Sequence, residues 1–168
     1  MSSVKLNKMI EKLQLVNLVP EVSTDEIEIS SPEINRPALQ LAGYFEHFAS
    51  ERVQIIGYVE YTYLKSLDRD VKLANYEQFL SSDIPCVIYS TRTEPDEDMI
   101  ELAKKYHKPL LSSHRITSDL MAEVIRWLGV ELAPCISIHG VLMDVYGEGI
   151  LIMGESGIGK SEAALELI

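Results

Sequence analysis

Cysteine is scarce in this chain, with two residues, Cys86 and Cys135, among 168. Two thiols cannot build the multi-bridge framework of a small secreted domain, and they supply no zinc-ligand pattern. Both lie in apolar, strand-like runs and read as small buried hydrophobes. Basic charge is short as well: 15 Lys and Arg stand against 26 Asp and Glu, a formal net charge of -11. That balance argues against a nucleic-acid backbone as the main partner, because such binding needs clustered cations to displace counterions, and leaves room only for a local basic patch. No apolar run approaches the roughly 18 residues a membrane-spanning helix requires. The opening Met1-Ser2-Ser3-Val4-Lys5-Leu6-Asn7-Lys8 lacks the unbroken apolar segment of a signal peptide. The expectation is a cytoplasmic protein with no membrane partner. Internal repeats and low-complexity tracts are missing too, while the 46% of apolar residues suffices for an ordinary globular core.

What is present reads as alternating elements. Leu6, Met9, Ile10 and Leu13 fall at i, i+3, i+4 and i+7, one face of a helix. An acidic, Ser-rich stretch from Glu21 to Ser31 reads as loop interrupted by a short strand, Glu26-Ile27-Glu28-Ile29. Pro37 suits a first helical turn and Gly43 a helix C-cap. Arg52–Val59 reads as a strand, Glu60–Leu80 as helix, Ile84–Tyr89 as a strand, and a helix starts at Pro95. The short run Leu110-Leu111 and a helix from Thr117 to Leu128, closed by Gly129, follow. Strands alternating with helices predict a mostly parallel sheet with helices against it, so residues 1–132 read as one α/β domain. From residue 133 the character changes to successive strands: Cys135–His139, Val141–Val145 and Gly149–Met153. Tyr146-Gly147-Glu148-Gly149 supplies a hairpin turn. Residues 133–168 read as the start of a second domain.

The strongest local signal closes the chain. Gly154-Glu155-Ser156-Gly157-Ile158-Gly159-Lys160-Ser161 fills every required position of G-x-x-x-x-G-K-[ST]. It follows the apolar run Gly149–Met153 and precedes the helix formers Ser161–Leu167, the strand, loop, helix order that a phosphate-binding loop requires. Glycines allow the backbone to turn its N–H groups onto an anion. Lys160 is placed for the outer phosphates, and the Ser161 hydroxyl for a nucleotide-bound Mg²⁺.

The run from His139 through Met153 followed by GESGIGKSE, with "NRPALQLAGYF" from Asn35 and "ERVQIIGYVEYTYL" from Glu51, resembles the bacterial HPr kinase/phosphorylase family over nearly the whole chain. The resemblance implies a C-terminal P-loop kinase domain similar to phosphoenolpyruvate carboxykinase around its nucleotide site. It also implies phosphorylation of a serine of the phosphocarrier HPr with ATP or pyrophosphate, and phosphorolytic reversal by inorganic phosphate, in carbon catabolite regulation. Homohexamers and a response to fructose 1,6-bisphosphate belong to the same implication. Carried over, Gly154 to Ser161 hold the nucleotide phosphates, Lys160 stabilises the transferred phosphoryl group, Ser161 helps bind Mg²⁺, and His139 is an active-site position. His47, His107 and His114 have no such support and read as surface or packing residues.

The family's acidic catalytic and further metal-binding residues would lie beyond Ile168. On that resemblance the chain is expected to be a truncated and inactive fragment. Two other readings fit the loop: a non-catalytic regulatory module binding a nucleotide or sugar phosphate, and an unrelated P-loop NTPase, which leaves the match from His139 onwards unexplained.

Overall fold

A computed structural model describes residues 2–167, which form two compact units, one ending at Ala133 and the other beginning at Pro134. In the first, β1 (Val4–Lys5) leads into α1 (Leu6–Leu13), β2 (Val16–Asn17), β3 (Glu28–Ile29), β4 (Ile34–Asn35) and α2 (Ala38–Leu41). Then come β5 (Val53–Ile56), α3 (Tyr58–Ser66), α4 (Arg69–Ser81), β6 (Val87–Tyr89), α5 (Glu97–Lys105), β7 (Leu110–Ser112) and α6 (Thr117–Glu131). The central sheet has the order β2-β7-β6-β5-β4. Its four strands from β4 to β7 are parallel, and only β2 runs antiparallel, against β7. The mostly parallel α/β fold expected from the alternation is therefore present.

The side-chain period of two sorts the strands onto two cores. Val53 and Ile55 of β5, Cys86 and Ile88 flanking and within β6, and Leu111 of β7 meet Leu6, Met9 and Leu13 of α1 and Leu120, Val124 and Leu128 of α6. Their alternates Ile56, Val87, Tyr89 and Leu110 meet Leu41, Leu64, Tyr76, Phe79, Leu80, Met99 and Ala103, from α2 to α5. Thus α1 and α6 cover one face and α2 to α5 the other. Gln54 is the polar exception in β5. Its Nε2 donates to the carbonyls of Ala49 and Arg52 at 3.2 and 2.7 Å, and its Oε1 accepts from Asn35 Nδ2 at 2.8 Å, so its burial leaves the amide satisfied.

Four local expectations need correction. Arg52–Val59 is not all strand: β5 ends at Ile56, and Tyr58 and Val59 open α3. The turn is made at Gly57, where a Cβ would lie 2.9 Å from both Thr117 Cγ2 and Oγ1. Glu60–Leu80 is two helices broken at Leu67-Asp68, both in extended conformation; the break lets Leu64 and the trio Tyr76, Phe79 and Leu80 reach one core. Gly129 lies inside α6 and does not close it. The added turn is held by Lys8 pairing with Glu131 at 2.6 Å and by the Ser2 hydroxyl donating to the Leu132 carbonyl at 2.8 Å. Finally, Cys135–His139 forms no strand among the described residues, and Cys135 is exposed.

Candidate phosphate-binding site

In the second unit, β8 (Gly140–Val145) and β9 (Glu148–Met153) pair antiparallel from Gly140↔Met153 to Val145↔Glu148. That register uses up the hairpin: residues before Gly140 would face Gly154 onwards, where the chain turns away, so Cys135–His139 has no strand opposite it. Tyr146 at φ 57° and Gly147 at φ 87° join the strands, the two positive values of a type I′ turn, whose twist matches that of the strands. The Gly147 amide donates to Asp144 Oδ1 at 2.8 Å.

At the far end, β9 delivers the chain into Gly154, and the loop closes on α7 (Lys160–Glu166), with Gly159 as its N-cap. Gly157 and Gly159 have φ of 83° and 93°, a region that costs an L-residue energy and glycine very little. At Gly154 an added Cβ would lie 3.2 Å from Ile158 Cγ2, so the close approach of Ile158 over the loop depends on that glycine. Lys160 bends back on the loop: its Nζ donates to the carbonyl of Gly154 at 2.9 Å and to that of Glu155 at 2.6 Å. The ammonium is thereby stationed over the loop rather than extended into solvent.

His139, Gly154, Glu155, Ser156, Gly157, Gly159, Lys160 and Ser161 line a single cavity of about 610 Å³. Ile158, the remaining loop residue, is not in the lining and presents an exposed side chain. Gly140, Val141 and Glu162 line the cavity as well and escaped the sequence reading. The hairpin register carries the signal for Gly140, since pairing it with Met153 sets it beside the start of the loop; an added Cβ there would lie 2.9 Å from the Ile152 carbonyl oxygen. Lys160 is the cation of this lining, and Glu155 and Glu162 are its carboxylates. Among the described residues no group of three or more His, Cys, Asp and Glu side chains could hold a metal. In this lining the Ser161 hydroxyl is the group that the P-loop motif sets beside a nucleotide-bound Mg²⁺.

Strand, glycine loop and helix, with a lysine folded over the loop and a serine beside it, define the class of P-loop phosphate-binding proteins. The chain belongs to the HPr serine kinase family. The family described as "HPr Serine kinase N terminus" matches residues 4–128, and that described as "HPr Serine kinase C-terminal domain" matches residues 130–168. The chain is 54% identical over 168 residues to the HPr kinase/phosphorylase of Lachnoclostridium phytofermentans, covering 100% of this chain and 54% of that protein. It is 45% identical over 168 residues to the one from Alkaliphilus metalliredigens, again covering 100% and 54%. With that of Caldicellulosiruptor bescii it shares 45% over 163 residues, 97% of this chain and 52% of the relative. The chain thus spans about half the length of the curated relatives it matches. Among solved structures, the CBS and DRTGG domains of the regulatory region of a Clostridium perfringens pyrophosphatase align at TM-score 0.44 and 16% identity, over 72% of this chain and 45% of that one. No helix among the described residues is long and apolar enough to cross a membrane.

Proposed function

We propose that this chain is part of an enzyme that phosphorylates a serine of the phosphocarrier HPr with ATP or pyrophosphate and reverses the reaction by phosphorolysis with inorganic phosphate. The observation that carries the reading is Lys160 folded over the glycine loop, with His139 and Ser161 on the same cavity. When bound, MgATP supplies the activated phosphoryl group and part of its charge neutralisation. The chain's own residues bind and orient. Gly157 and Gly159 let the loop backbone wrap an anion. Lys160 exchanges its two carbonyl acceptors for phosphate oxygens, a stronger, charge-assisted interaction, and stabilises the charge of the transferred group. Ser161 offers a hydroxyl to the cation, and His139 sits where it can hydrogen-bond a reacting oxygen. Residues 1–132 form an N-terminal α/β domain and residues 133–168 the opening of the kinase domain.

The family match supports the wider setting: a cytoplasmic homohexamer in carbon catabolite regulation that responds to fructose 1,6-bisphosphate and has neither nucleic acid nor membrane as partner. The deciding experiment is transfer of radiolabelled phosphate from ATP to HPr by the complete product of this gene and by its Lys160→Ala variant. Transfer lost in the variant, by about 100-fold or more on the scale of removing one charge-stabilising donor, supports the reading. A folded wild-type protein that binds nucleotide and transfers nothing would replace it with a non-catalytic regulatory module.

A further inference from the structure

The N-terminal unit carries its own candidate ligand site, at the carboxyl ends of its parallel strands. In open α/β sheets, ligands bind in the crevice that opens where neighbouring strands send their following helices to opposite faces. The adjacent strands β6 and β7 do this. After β6 the chain enters α5, whose Met99 and Ala103 pack in one core; after β7 it enters α6, whose Leu120 and Val124 pack in the other. Between the diverging loops lies a cavity of about 510 Å³. It is lined by Thr91 and Arg92 from the loop after β6, His114 and Ile116 from the loop after β7, Thr117 at the start of α6, and Tyr58 at the start of α3.

The charge of this lining differs in sign from that of the chain as a whole. The protein has a formal net charge of -11, yet this cavity is lined by an arginine and a histidine and by no carboxylate. Arg36, Arg52, Arg69 and Arg115 are engaged in ion pairs; among the described residues Arg92 and Arg126 are the arginines in none. Arg92 is also held at φ 61°, which fixes where its side chain leaves the backbone. The loops are mutually braced, by the Thr91 amide donating to the Arg115 carbonyl at 2.9 Å and by Ser90 and Thr117 sharing a hydroxyl hydrogen bond at 2.8 Å. Beside Arg92, the Tyr58 ring and Ile116 are exposed, an apolar surface next to a basic one that also carries two hydroxyls. A few convergent polar groups beside apolar and aromatic walls are the usual make-up of a small-molecule site.

We propose that this cavity binds a phosphorylated small molecule, its phosphate against Arg92, His114 and the Thr91 and Thr117 hydroxyls, and its ring-shaped body against Tyr58 and Ile116. The site is separate from the phosphate loop and does not rest on the kinase reading. Sugar phosphates and nucleoside monophosphates share the required chemistry. The test is amide chemical-shift mapping on the whole chain bearing Lys160→Ala, so that binding at the phosphate loop is weakened. Probes are glucose 6-phosphate and AMP, with glucose and adenosine as uncharged controls, each at millimolar concentration.

The expected result is movement of Tyr58, Arg92, His114 and Thr117 with at least one phosphorylated probe and not with its control, weakened at least tenfold by Arg92→Asn. Asparagine tolerates the backbone at that position, so fold and charge are separated. Shifts confined to Gly154–Ser161, no shifts with either phosphorylated probe, or equal shifts with the controls would overturn the proposal. The responding probe distinguishes a sugar phosphate from a nucleotide.

Discussion

Arg36 and Glu60 meet at 2.7 Å with unequal access to water: the Glu60 side chain is 2% exposed and that of Arg36 is 38% exposed. Glu60 also accepts from the Gly57 amide at 3.0 Å, closing the first turn of α3. Removing the two partners should therefore have different costs. Arg36→Met strands a buried carboxylate and is expected to cost about 3 kcal/mol. Glu60→Gln keeps a hydrogen-bonding side chain and frees an arginine that can turn to solvent, for about 1 kcal/mol. Urea unfolding of both variants measures the difference, and equal losses would contradict it.

Asp96 is the next test of a shared group. Its Oδ1 accepts from the Met99 amide at 2.9 Å as the N-cap of α5, while its Oδ2 takes Lys72 Nζ at 2.5 Å and the Tyr76 hydroxyl at 3.3 Å. Asp96→Asn retains the cap and loses the ion pair; Asp96→Ala loses both. Thermal unfolding should rank wild type above Asn above Ala, with the Asn-to-Ala step near the roughly 1 kcal/mol typical of a cap.

Burial pushes the Cys86 thiol up from its ordinary 9.0 to about 12. The folded state thus holds a proton that the unfolded state releases first. The resulting stabilisation is complete below about pH 9 and is lost as the pH rises toward about 12, by about 1.4 kcal/mol per pH unit once the unfolded thiol ionises. Burial raises Tyr76 and Tyr89 as well, which steepens the loss above about pH 10. Chemical denaturation at about pH 8 and about pH 10 should show a shallower decline for Cys86→Ala than for wild type. At neutral pH a thiol reagent should modify exposed Cys135 quickly and Cys86 only on unfolding.

At the phosphate loop, Gly159→Ala imposes a side chain on φ 93°, whereas Gly149→Ala adds one where nothing lies within 4 Å. The first is expected to weaken binding of a phosphate ligand by about tenfold, the equivalent of about 1.4 kcal/mol, and the second to leave it unchanged. Calorimetric titration with ATP reads the difference.

The parallel sheet, the α1 stripe and the phosphate loop were legible because each is a local pattern: alternation, helical spacing, a fixed motif. Gly129 and the Leu67-Asp68 break were not, since side chains distant in sequence, Lys8 on Glu131 and Tyr76 beside Leu64, decide them. Nor was β2, whose two residues acquire meaning only beside β7. His114 and Arg92 stand 22 positions apart in the chain and form a pattern only after β6 and β7 pair. The loop residues from Gly154 to Ser161 could be named from sequence, while Gly140 and Glu162 needed the hairpin register and the turn of α7.

The central sheet ends on either side in a strand of two residues, Val16–Asn17 and Ile34–Asn35. A sheet edge is a row of unmet amides and carbonyls on which a foreign strand can crystallise, and long bare edges seed aggregation. Here each margin offers too short a template for such growth. The apolar strands Val53–Ile56, Val87–Tyr89 and Leu110–Ser112, the segments most prone to stacking between molecules, are kept in the interior of the sheet, so this unit should stay dispersed at concentrations where an open-edged sheet of the same composition would not.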